Sequence, residues 1–159
     1  VCSGDMCAGS APPPRHANTE PRANDPLYPP PRTAPMGLDR TVRFAASAVP
    51  GWDAVRAQLA RLGVPPPLRM IDGMPAFPDE SPEPGWKELR VGFPAGMVTV
   101  RASGDALTCV IWGNATAELR AAWDAVCWAC ASAGGGVVET PAGSLAADEF
   151  ARSAGLQPA

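Results

Sequence analysis

A chain of 159 residues with 46% hydrophobic content has the length of one domain and the composition of a folded core. Its 16 acidic and 13 basic side chains leave a net charge of −3 without any Lys/Arg run, so the basic footprint of a nucleic-acid binder is missing. No apolar stretch approaches the roughly 20 residues that span a bilayer, and the first residues lack the basic start and apolar core of a signal peptide. Nucleic acid and membrane are therefore disfavoured as partners, and the expected location is cytoplasmic.

The first 40 residues hold nine of the 20 prolines, in runs such as Pro12-Pro13-Pro14 and Pro29-Pro30-Pro31, and show no apolar periodicity. Such a stretch cannot bury enough surface to offset the entropy of ordering it, and residues 1–40 are expected to be a disordered tail. Proline runs are preorganised as polyproline II, so a ligand for an aromatic groove is the functional alternative for this tail. The chain opens on Val1, and Met36, which leads directly into patterned sequence, is a candidate start of translation.

From Thr41 to Ala46 the residues alternate, with Val42, Phe44 and Ala46 opposite Thr41, Arg43 and Ala45, the period of a half-buried strand. Pro50 and Gly51 break that pattern. A helical period follows, with Trp52, Val55, Leu59 and Leu62 on one face and Gly63 as its stop. Residues 64–85 read as a proline-rich connector, in which Leu68–Ile71 makes a short edge strand and Asp72-Gly73 its turn. Residues 88–112 read as a three-strand meander. Leu89, Val91 and Phe93 alternate with polar residues, Pro94-Ala95-Gly96 turns the chain, Val98 and Val100 follow, and Leu107–Trp112 is the most apolar strand.

Asn114 or Thr116 caps the next helix, whose stripe is Leu119, Trp123, Val126, Cys127 and Cys130, and which ends at Gly134-Gly135-Gly136. Val137–Thr140 is the last strand. Pro141-Ala142-Gly143 turns the chain, and a short helix near 145–152 lays Leu145 and Phe150 on the body. The order β-α-β-β-β-α-β predicts an α/β (α+β) fold, a two-layer split β-α-β sandwich of ferredoxin-like type. It has a mostly antiparallel sheet and two main helices on one face. Residues 41–140 form the domain, and 141–159 a C-terminal extension.

Most enzyme chemistries lack their parts. The single histidine, His16, sits in the tail, so triads with a histidine base and multi-histidine zinc sites are excluded from the body. Phosphate-binding and dinucleotide-binding glycine motifs are missing, as is a nucleophile elbow. Cys127-Trp128-Ala129-Cys130 has the spacing of a redox pair, but both thiols fall late in a helix, where the dipole opposes a thiolate. Core packing is the favoured reading. No metal site, cofactor or catalytic residue is assigned, and an enzyme is the less favoured class. The five cysteines fit a reducing compartment better than a disulfide scaffold.

Two surfaces stand out. If Leu89, Val91, Val98 and Val100 face the helices, then Arg43, Arg90, Thr99 and Arg101 point to the opposite sheet face, with Thr108, Val110 and Trp112 beside them. That open face offers a platform for a protein or a planar anionic ligand. Trp128 lies half a turn from the apolar stripe and reads as a second interface candidate, unless the segment around Phe150 covers it. The expected function is a non-catalytic interaction or assembly domain, working as a homo-oligomer or with a protein partner through Trp112 or Trp128. The alternative is a small anionic-ligand-binding or enzymatic domain with a pocket between the connector and the sheet, lined by Asp72, Arg90 and Trp112, with Arg43 and Arg101 as further ligand-binding candidates.

Overall fold

In the computed structural model, residues 37–63 and 66–159 are described. The proline-rich segment through residue 36, expected to be disordered, lies outside the described residues. The first strand, β1 (Leu38–Arg43), begins three residues before the alternation noted at Thr41. Its pattern therefore extends backward, and Arg40 joins Val42 and Phe44 on the face that packs against the helices.

Helix α1 (Trp52–Ala60) follows, with Trp52, Val55 and Leu59 buried as its period requires. Three turn residues carry the chain to Gly63, whose φ of +87° closes the connection in the left-handed region that glycine adopts without strain. Strand β2 (Leu68–Ile71) and the two-residue β3 (Met74–Pro75) form a hairpin about Asp72-Gly73. The meander is β4 (Glu88–Phe93), β5 (Gly96–Ser103) and β6 (Ala106–Ile111).

Helix α2 (Ala117–Gly134) begins at Thr116, whose hydroxyl accepts from the Leu119 N–H at 3.2 Å, and ends at Gly135 with φ +65°. Strand β7 (Val137–Thr140) comes next. The segment set apart in the sequence as an extension supplies strand β8 (Gly143–Ala146) and helix α3 (Ala147–Ala154), whose Phe150 and Ala151 are buried in the core.

The eight strands form one antiparallel sheet in the order β3-β2-β4-β5-β6-β1-β7-β8. Both long crossovers follow from that order. Helix α2 carries the chain from β6 to β7, the two neighbours of β1, while α1 carries it from β1 to β2, past three intervening strands.

Core residues come from one face of the sheet. Leu89, Val91, Val98, Val100, Leu107, Cys109, Ile111 and Val138 are all at most 1% exposed and pack with α1, α2 and α3 in a single cluster. Burying each such aliphatic side chain contributes about 1.5–3 kcal/mol, which fixes the register: a one-residue slip would turn the whole set to solvent.

Trp128 corrects an expectation. It was read as a partner surface and is instead 1% exposed, part of an unbroken buried run from Val126 to Ala131. The stripe rule assumes that one side of a helix meets water. Here α2 is covered by the sheet on one side and by α1 and α3 elsewhere. Arg61, the C-cap of α1, holds its guanidinium 5.9 Å from the Trp128 ring centroid and is itself tied to the backbone of Ala159.

Candidate functional site

The opposite face of the sheet carries no helix, and strand pairing arranges its side chains in rows. One row runs Met70, Arg90, Thr99, Val110, Asp39, across β2, β4, β5, β6 and β1. The next runs Glu88, Arg101, Thr108, Thr41. A third pairs Ser103, Ala106, Arg43 and Val137. Beyond the first row Gly92 pairs with Met97, and Trp112 directly follows β6, two residues after Val110.

Thus the face holds Arg43, Arg90, Arg101 and Trp112, four of the five ligand candidates read from the sequence. The middle is low and β-branched, formed by Thr41, Thr99, Thr108 and Val110, with Thr41 Oγ1 and Thr108 Oγ1 3.3 Å apart. Met97 and Trp112 form its apolar end, 46% and 70% exposed. Large apolar side chains in water at adjacent positions mark a surface that gains by being covered.

Two carboxylates engage three of the arginines on this face. Glu88 accepts from Arg101 Nε at 3.0 Å and from Arg90 Nε at 3.2 Å. The Arg101 guanidinium, aided by Arg90, holds the Glu88 carboxyl below its ordinary value. Arg43 pairs with Glu139, which raises the Arg43 guanidinium further above its already high value. Arg69, unremarked in the sequence, lays its side chain over Gly92, where an added Cβ would come within 2.7 Å of Arg69 Nε.

Asp72, the fifth candidate, is not part of this face. Its Oδ1 accepts from the backbone N–H groups of Lys87 and Glu88, both at 2.8 Å, and these bonds draw its carboxyl below the usual value. Asp72 also stands at φ +48°, a conformation that aspartate tolerates better than most residues. It is a clasp joining the β2–β3 turn to the start of β4.

Clefts do lie beside the connector. The larger, about 630 Å³, is lined by Trp52, Trp86, Pro82, Pro84, Asp53 and Ala102, among others. A second, about 260 Å³, is lined by Asp72, Glu80, Glu83 and neighbours. Neither contains an arginine or lysine among its lining residues, and Asp53 in the first is bonded to the Ser81 hydroxyl at 2.8 Å. Arg90 and Trp112 stand on the open face, so the pocket expected between connector and sheet does not gather its residues.

On the helix face, Arg40 was missed. Its guanidinium lies 4.0 Å from the Trp123 ring centroid and 5.0 Å from that of Phe150, and it pairs with Asp124. A cation held between two aromatic faces and a carboxylate joins β1, α2 and α3. Extending the alternation back to Leu38 would have found it. Trp123 donates from Nε1 to the Cys109 carbonyl at 2.9 Å.

Cys127 and Cys130, the CxxC pair, are buried together with Cys109. Burial, followed by a hydrogen bond with Cys109, pushes the Cys127 thiol well above its ordinary value. For Cys109 a bond with Cys127 acts downward, yet the bond with Cys130 and burial outweigh it, so this thiol too is raised. Thiols so held are poor nucleophiles. Among the described residues, no helix is long and apolar enough to cross a membrane. Compared with protein-family models, curated proteins and solved structures, the chain matches none.

Proposed function

We propose that this chain is a non-catalytic protein-interaction or assembly domain, and that it presents the helix-free face of its sheet. The observation carrying this reading is the exposure of two large apolar side chains, Met97 on β5 and Trp112 just after β6, beyond a low, β-branched strip. The carboxylates Glu88 and Glu139 engage Arg43, Arg90 and Arg101 and offset most of their charge, which favours protein over nucleic acid, whose phosphates require a strongly basic surface. The free, buried thiols fit a reducing compartment such as the cytoplasm. We read the architecture as an enlarged ferredoxin-like sandwich, a reading supported by the α2 crossover from β6 to β7 around β1.

The anionic-ligand alternative has less support, because the clefts beside the connector offer no cationic side chain. A photoreactive aromatic residue at position 112, compared with the same group at exposed Arg120 on α2, tests the proposal. A protein adduct identified from position 112 alone supports it. Equal labelling from both positions, or none from 112, contradicts it.

A further inference from the structure

The rows of the open face have a symmetry that names an occupant. Rotation by half a turn about a line running along the strands between β5 and β6 exchanges β5 with β6 and β4 with β1. Face to face with its rotated copy, Thr99 of one chain meets Val110 of the other, and Met97, two residues before Thr99, comes to the end of the sheet where Trp112 follows Val110 by two residues. In the same row as Thr99, Arg90 meets Asp39. Each contact occurs twice, as a twofold interface requires.

Resting on the reading of this face as an interaction surface, we infer that its partner is a second copy of this chain, packed sheet on sheet with Met97 against Trp112 and Arg90 opposite Asp39. The chemistry agrees at these contacts, while the second row sets Arg101 over Thr108 and Glu88 over Thr41. A thioether against an indole is a favourable pair. Thr99, Thr108 and Val110 are short enough for two sheets to approach at the ordinary separation of about 10 Å. Asp39 is exposed and has no ion pair among the described residues, while Arg90 shares Glu88 with Arg101 and has donors to spare.

The size is adequate as well. Six strands at about 4.8 Å spacing and about 20 Å length give a footprint of about 600 Å² per copy. The pair then buries about 1,200 Å², the lower edge of specific interfaces.

The test is the solution mass of the full chain by light scattering over a wide concentration range, for the wild type, Asp39→Arg and Arg90→Asp. Both substitutions are at surface positions, and thermal melting of each variant checks that it folds. Either variant alone sets like charges opposite one another twice, so its dimerisation weakens by about tenfold. An equimolar mixture of the two variants forms a heterodimer in which both contacts are again opposite in sign, and it recovers wild-type association. A mixture no tighter than the single variants, or a dimer indifferent to both reversals, overturns the inference. A wild-type chain that stays monomeric overturns the self-pairing alone, and the cross-link from position 112 then decides the reading on which it rests.

Discussion

Met97 lies on β5 two residues before Thr99, and Trp112 directly follows β6 two residues after Val110, the partner of Thr99; both put apolar surface into water. On the other side of these strands, Val98 and Ile111 are sealed in the core. Adjacent positions on one backbone thus carry two separate tasks, folding on one face and contact on the other.

Replacing Met97 and Trp112 together by Ala is expected to leave the melting temperature of the dilute chain nearly unchanged, because exposed side chains contribute little to the folded state. A drop comparable with loss of a core tryptophan, seen by thermal melting, would assign the pair to the fold.

Two buried tryptophans should separate in the opposite direction. Trp123→Phe removes the indole hydrogen bond to the Cys109 carbonyl, which keeps its strand partner, and is expected to cost about 0.5–1.5 kcal/mol. Trp128→Phe removes an indole N–H that has no partner among the described residues, so it loses no hydrogen bond and costs less. Denaturant unfolding of the two variants measures the difference.

Acid sensitivity follows from Asp72 and Glu88. Both carboxyls are held below their ordinary values in the folded chain, so near those values the unfolded chain binds more protons. Their contribution is complete above the unfolded carboxylate range and fades as pH falls through the depressed folded values. Melting temperature against pH should therefore decline on acidification, and less steeply in an Asp72→Asn, Glu88→Gln double variant.

Cys109, Cys127 and Cys130 should resist a thiol reagent at mildly alkaline pH until the chain unfolds, since they are buried and Cys109 and Cys127 are raised. Mass analysis of labelled peptides with and without denaturant reads this directly.

The meander was legible because β4, β5 and β6 each alternate strictly, and the parity of Leu89, Val91, Val98 and Val100 separates core from open face. Strand β8 was not, since Gly143-Ser144-Leu145-Ala146 contains no β-branched residue and owes its form to pairing with β7. Trp128 misled because periodicity describes one helix, whereas its burial comes from elements distant in sequence. Asp72 likewise has its partners 15 and 16 residues away, in contacts that no local pattern encodes. Exposed carboxylates in a connector read as candidates for chemistry until the donors that bond to them are counted.

Association through the open sheet face predicts that one substitution on that face, and not one on the helix side, separates the chains. The full chain, of 16.4 kDa, is measured by light scattering across concentrations beside Val110→Arg in the centre of the open face and Ala121→Arg at an exposed position of α2. The predicted result is a wild-type mass that rises above the single chain, is retained in Ala121→Arg and is lost in Val110→Arg. A mass of one chain throughout, or association lost in Ala121→Arg and kept in Val110→Arg, would contradict it.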